Sequence, residues 1–231
     1  MGKCLFMRKG ETHTAPVKTF ADTSWADIIN ACQTDNIPNA WNVGDQKAMN
    51  IDGKDYLIDI IGKNHDTYSD GSGKAPLTFQ LHDCYDIKYD MNGAAVNNGG
   101  WNDCKMRSTN LPAIMALMPT EVVTCIKEVN KLASEGGNSS TINTTKDKLF
   151  LLSEIEIFGT ATYSVSGEGS QYAYYAAGNS KVKTYMGNSY AWFTRSTRKN
   201  NTTLFVNVDV NGGSGGSTAD ETRGVSFAFC F

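Results

Sequence analysis

Apolar residues first fall at helical spacing in Trp25, Ile28, Ile29 and Cys32. That stripe predicts a helix opening at Ser24. Ser24 suits the N-cap, and Asp27 favours the helix N-terminus. Asn36-Ile37-Pro38 ends the pattern. The period then changes to two. In KAMNIDGKDYLIDIIG, Asp52-Gly53 signals a hairpin turn. Tyr56, Ile58 and Ile60 alternate with Leu57, Asp59 and Ile61, as in a strand. Residues 62–74 read as a loop by their Gly, Asp and Ser content, and residues 77–81 (LTFQL) as a short buried strand.

Residues 85–110 show no period. Pro119 then suits a first helical turn. Val122, Ile126, Val129 and Leu132 repeat at helical spacing until Gly136-Gly137. KLFLLSEIEIFG, residues 148–159, is the most hydrophobic segment, and its β-branched and aromatic residues predict a central strand. From Gly159 to Gly224 the chain is rich in Gly, Ser, Thr, Asn and Tyr. GVSFAFCF then alternates Val225, Phe227, Phe229 and Phe231 with smaller residues, the pattern of a terminal strand with one apolar face. Two helices, several short strands and long loops make an α+β domain. Residues 1–20 are polar, carry Pro16 and show no period, so they read as an N-terminal arm before a domain spanning 21–231.

The 231 residues are 40% hydrophobic, enough for one core or at most two small domains. Net charge is −3, with 21 basic against 24 acidic residues, so a general phosphate-binding surface and nucleic-acid binding are not expected. No apolar run approaches the ~18 residues of a membrane-spanning helix. MGKCLFMRKGETHT has no apolar signal core. The six cysteines (Cys4, Cys32, Cys84, Cys104, Cys125 and Cys230) lack CxxC spacing and are expected to be mostly reduced, buried thiols.

Catalytic signals are thin. GxSxG, P-loop and HExxH motifs are missing. His65-Asp66 and His82-Asp83 resemble acid–base pairs, but adjacent residues in a loop or strand seldom point together. They read more simply as hydrogen-bonding groups. Asp66, Asp70 and Ser72 offer either calcium ligands or an Asx-rich turn. Trp101-Asn102-Asp103 matches a lectin tripeptide by chance, since its usual partners are missing.

The C-terminal third carries the positive signal. Tyr172, Tyr174, Tyr175, Tyr185 and Tyr190 precede Trp192 and Phe193, and Arg195, Arg198 and Lys199 follow among Ser, Thr, Asn and Gly. This is the composition of binding loops: aromatics give contact area at small entropic cost, and small polar residues give adaptable hydrogen bonds.

Six blocks in order carry a family resemblance: ACQ…IPNAWNVGDQK, IDIIGKNHDTYSDGSGKAPLTFQLHDC, LPAIMALMPTEV, STINTTKDKLFLLSEIEIFG, SGEGSQYAYY and AWFTRS…GVSFAFCF. Over residues 24–231 the chain resembles an uncharacterised domain family of gut bacterial surface and phage-tail proteins. Its C-terminal pattern is similar to the variable region of proteins diversified by retroelements, which use a C-type lectin fold.

The resemblance implies a C-type-lectin-like fold, with two helices around short antiparallel sheets and a variable ligand-binding region at about 188–224. It implies that Trp192, Arg195, Ser196, Phe205, Gly212, Gly224, Val225, Phe227 and Phe229 are scaffold. The ligand-binding positions would be Tyr190, Ala191, Phe193, Thr194, Thr197, Arg198, Lys199, Thr203, Leu204, Val206, Asn207, Asp209, Ser214, Ser217, Asp220 and Thr222. The chain would be a non-enzymatic virion protein of a phage tail, made in the bacterial cytoplasm, without cofactor or metal and without membrane insertion. Its partners would be a host-cell surface protein or glycan and, through the arm, other tail proteins, with a homotrimer as a further implication. A bacterial adhesin and an enzyme of the formylglycine-generating type are the alternatives on this fold. Two departures stand out. Val206 occupies the place of a cysteine in many relatives, which removes a partner for Cys230. Lys199 is a residue that adenine-directed mutation of an Asn codon does not reach.

Overall fold

The computed structural model describes residues 18–231. The first helix forms where its apolar stripe predicts. Ser24 Oγ accepts from the Asp27 amide at 3.1 Å, and α1 (Trp25–Gln33) buries Ile28, Ile29, Ala31 and Cys32. The hairpin β1 (Gln46–Ile51) and β2 (Lys54–Lys63) turns on Asp52 and Gly53, with φ of 50° and 81°. Those values match the left-handed pair that suits the twist of a tight hairpin. β3 (Leu77–Leu81) follows, buried along its whole length.

A run of short helices comes next: α2 (Gly100–Asp103), a π-helical turn (Met106–Asn110) leading into α3 (Leu111–Met115), and α4 (Thr120–Val123). β4 (Val129–Ser134) pairs with β5 (Ile142–Asp147). After α5 (Glu154–Phe158) and α6 (Ala173–Ala176) come the small pair β6 (Lys183–Tyr185) and β7 (Asn188–Tyr190). Then follow β8 (Trp192–Thr197), β9 (Leu204–Val208), β10 (Ser214–Thr218) and β11 (Ala228–Cys230). The four-stranded sheet runs β1-β2-β3-β11, and the three-stranded sheet runs β10-β9-β8. All the strand pairs are antiparallel, so the fold is mixed α and β with short helices.

β11 lies against β3, so the end of the chain closes the first sheet. Phe79 and Phe229 stack at 5.3 Å, and Phe20 and Phe231 pack on the same ring. Losing one such Phe costs roughly 3–5 kcal/mol.

Several sequence expectations are corrected. The helical repeat from Val122 to Leu132 breaks after Val123, and Val129 and Leu132 lie in β4. Spacing alone cannot separate one long helix from a short helix and a strand when the buried positions coincide. KLFLLSEIEIFG is not a central strand. Phe150 makes only an isolated bridge to Ala228, and Ser153 then opens α5. The overlooked signal is Ser153-x-x-Glu156, a capping box with both hydrogen bonds formed. The terminal strand is buried at every position rather than on one face, and it is no free edge, since Phe150 and Lys127 bridge to Ala228 and Cys230 on the side away from β3. The helices number more than two, all but α1 of five residues or fewer.

Of residues 1–20, only Lys18, Thr19 and Phe20 are described. Phe20 is buried against Trp41, whose indole N–H donates to the Lys18 carbonyl. The rest of that expectation concerns residues 1–17, outside the described residues. Among the described residues no helix is long and apolar enough to cross a membrane.

Candidate functional site

The last forty residues are tied to the body by a buried charge network. Arg195, in the middle of β8, is fully buried. Its NH1 and NH2 donate to Glu156 Oε2 and Oε1 at 2.5 and 2.9 Å, and the same guanidinium donates to the carbonyls of Leu132, Leu151 and Glu168. Glu156 also meets the Lys131 ammonium at 2.7 Å, and Lys131 reaches Asp66 at 2.7 Å. Asp66 accepts further bonds from Thr78 and Tyr172.

Two acids and two bases thus neutralise one another, which is the condition for burying charge without a large penalty. Burial pushes the Asp66 carboxyl up, but the Lys131 charge and these hydrogen bonds outweigh it and hold it at about 2. Burial likewise raises Glu156, and the Arg195 and Lys131 charges bring it below the ordinary range.

Glu168 behaves differently. It accepts from the Ser134 amide at 2.8 Å and from the Ser196 hydroxyl, but burial dominates and pushes its carboxyl up to about 7.

A second tie holds the loop after β8. Asn97 is fully buried, and its side-chain amide donates to the Asn201 and Leu204 carbonyls at 2.9 and 2.8 Å. Its own carbonyl oxygen lies only 1.9 Å from where a Cβ on Gly136 would stand. Gly136, at φ 69°, therefore has to be glycine for the loop to approach. At the other end of the strand, Trp192 pairs with Gly224, and its indole donates to the Lys181 carbonyl.

Of the implied scaffold residues, Trp192, Arg195, Ser196, Phe205, Gly224, Val225, Phe227 and Phe229 are buried. Gly212 is half-buried, turns at φ 82° and presses on Val182.

The implied ligand positions divide. Arg198, Thr203, Leu204, Asp209, Ser214, Tyr190 and Ala191 are half-buried, and Lys199, Asp220 and Thr222 are exposed. Phe193, Thr194, Thr197, Val206, Asn207 and Ser217 are buried and cannot meet a ligand as they stand. For Phe193, Thr194 and Thr197 the reason is topological: β8 is buried at every position, so alternation along it does not turn side chains to solvent, while Val206 and Asn207 lie in the buried stretch of β9 and Ser217 at the one buried position of β10. Thr194 donates to the Val206 carbonyl, and Thr197 to Ser134 Oγ. Asn207 donates to Ser217 Oγ, and its Oδ1 has no partner among the described residues.

Tyr190 and Arg198 flank β8 at its two ends, with seven residues between them along the chain. Tyr190 clamps Lys88, whose ammonium lies 5.2 Å from its ring and 5.3 Å from that of Tyr185.

Around Arg198 the structure adds two residues that the sequence did not single out. The guanidinium lies over the Tyr163 ring, 4.6 Å from its centre, and the Lys199 amide donates to the Tyr163 carbonyl. Gly216 lies beneath it, with a would-be Cβ 3.2 Å from Arg198 NH1. Tyr163 comes from the loop after α5, far earlier in the chain, so no local pattern announces it.

The remaining motifs find partners other than the adjacent ones. His82 Nδ1 meets Asp59 at 2.9 Å, not Asp83, whose side chain accepts from the Thr184 amide. The Asp59 hydrogen bond raises the His82 pKa above its ordinary value despite burial. His65 stacks on Tyr172 at 4.0 Å, and burial lowers its pKa. Asp70 Oδ1 accepts from the Ser72 amide in an Asx turn, while Asp66 is turned into the charge network. His65, Asp66 and Glu156 converge on a cavity of about 120 Å³. The Lys131 ammonium already bridges the two carboxylates there.

Among the described residues Cys32, Cys84, Cys104, Cys125 and Cys230 are free thiols, all but Cys125 buried. Burial pushes Cys32, Cys84 and Cys104 up to about 12 and Cys230 well above its ordinary value, which keeps them as thiols.

A β-rich body thus fixes the path of a partly exposed C-terminal sheet. The chain belongs to the DUF6273 family, a domain of unknown function whose model matches residues 78–231. No curated protein and no solved structure matches the chain.

Proposed function

We propose that the protein is a non-enzymatic recognition module of C-type-lectin type that displays a ligand-binding surface, serving at a phage tail tip or tail fibre and diversified by a retroelement. One observation carries the display reading: the main chain of residues 192–231 is fastened by buried ties, while the side chains around Arg198 and Lys199 stay at the surface. Exposed positions on a rigid frame can vary at little cost, since such substitutions usually change stability by under ~0.5 kcal/mol. The phage and retroelement parts of the reading rest on the sequence resemblance. Its partner is a host-cell surface molecule. The non-enzymatic part is supported by the mutual neutralisation of the titratable groups and by cysteines held as thiols.

The test is adherence of the labelled protein to a panel of gut bacterial cells. Binding to some strains is expected, and Arg198→Ala, Lys199→Ala and Leu204→Ala should each weaken it about tenfold without loss of fold. Adherence indifferent to all three would overturn the display reading. Diversification has its own check: a reverse-transcriptase gene beside a near-copy of the codons for residues 190–231, differing at adenines. A neighbourhood without either removes the retroelement from the proposal.

A further inference from the structure

Resting on the display reading, we propose that Arg198 is the recognition centre for a carboxylate on a partner protein, an Asp or Glu side chain beside an apolar residue. The guanidinium has two close neighbours that hold it. The Tyr163 ring centre lies 4.6 Å from it, and Gly216 comes so near that a methyl group there would sit 3.2 Å from NH1. Stacking of this kind fixes the plane of the fork and leaves its edge available.

Among the described residues no carboxylate lies within ion-pair distance of Arg198, and none of its side-chain N–H groups donates to the protein. In this it differs from Arg107, Arg195 and Arg223, each of which is paired with an acid. A planar fork with its orientation already set matches a carboxylate through two parallel hydrogen bonds, and less ordering entropy is lost on binding.

The surroundings favour a protein partner. Lys199 adds an exposed positive charge on a chain whose net charge is −3, so the patch runs against the overall field and complements an acidic surface. Leu204 Cδ1 lies 3.6 Å from the same point above Gly216, which puts an apolar contact beside the fork. Arg and Tyr are both enriched at interface hot spots. The cavities of about 630, 320, 300 and 270 Å³ are lined by other residues, so the fork is not set in any of them.

The test is surface plasmon resonance on the immobilised protein with three probes: a random glutamate–tyrosine copolymer, polysialic acid and dextran sulfate. The copolymer is expected to bind, and R198A to weaken it at least about tenfold. R198K keeps the charge and loses the fork, so it should recover only a small part. G216A should weaken binding by displacing the guanidinium. K74A, on the wall of the cavity of about 630 Å³ that Arg198 does not line, should leave it unchanged, with unfolding curves confirming that every variant is folded. Equal copolymer binding by wild type, R198A and R198K overturns the assignment. Arg198-dependent binding of polysialic acid alone replaces the protein partner with an acidic glycan, and equal binding of dextran sulfate reduces the site to general polyanion attraction. If R198A abolishes adherence to cells yet leaves copolymer binding intact, the display reading stands and the carboxylate assignment falls. If adherence ignores all the exposed substitutions, the display reading falls whatever the copolymer does.

Discussion

Arg195 and Glu156 meet in a two-pronged ion pair, with bonds of 2.5 and 2.9 Å and both side chains buried. The pair joins β8 to α5, and through Lys131 and Asp66 it continues to the first sheet. It fixes where β8 runs, and so where Arg198 emerges.

Glu156→Gln keeps the shape of the side chain and removes its charge, leaving Lys131 and Arg195 facing a neutral amide. The expected loss is about 3–5 kcal/mol, the cost of breaking one side of a buried pair. Urea unfolding monitored by Trp fluorescence measures it. A loss under about 1 kcal/mol would mean that the network is not what holds β8.

Stability should fall as pH rises through neutrality. Glu168 titrates at about 7 in the fold against an ordinary 4.5, so its contribution is complete below ~4.5 and is lost as pH passes ~7. At the other end, Asp66 sits at about 2 against 3.8, so its contribution is present above ~3.8 and disappears as pH falls toward 2. The optimum therefore lies between these limits. Glu168→Gln should flatten the neutral limb in unfolding free energies taken at several pH values. An unchanged slope in that variant would remove Glu168 as its source.

The raised pKa of His82 is set first by its hydrogen bond to Asp59. A group raised in the fold contributes stability below its ordinary pKa of 6.5 and loses it as pH climbs through the folded value. NMR titration of the His82 ring should show a midpoint above 6.5, which Asp59→Asn returns toward it. A wild-type midpoint below 6.5 contradicts the pairing.

Phe193 and Lys199 lie six positions apart and should respond in opposite ways. Phe193→Ala opens a cavity in a fully buried place and should cost roughly 3–5 kcal/mol. Lys199→Ala changes an exposed side chain and should stay within about 0.5 kcal/mol. Thermal unfolding of the two variants separates the frame from the displayed surface, and similar losses would erase that distinction.

Residue order alone determined the elements whose signals are local. Ser24 with its apolar stripe specifies α1, Asp52-Gly53 specifies the first hairpin, and residues 77–81 specify β3, because caps, turn dihedrals and short apolar runs act over a few neighbouring positions. The Phe-rich ending was legible as a strand, while the burial of the anchoring residues of the C-terminal third was implied only by the family resemblance. Tertiary packing alone decided the rest. It split one apparent helix into α4 and β4, it buried Thr194 by covering both faces of β8, and it paired Asn207 of β9 with Ser217 of β10 in the interior. It also brought Tyr163 and Gly216 to Arg198, and matched Lys131 and Arg195 to Asp66 and Glu156. Those contacts join segments distant along the chain, and a buried charge finds its partner only when the whole core closes around both.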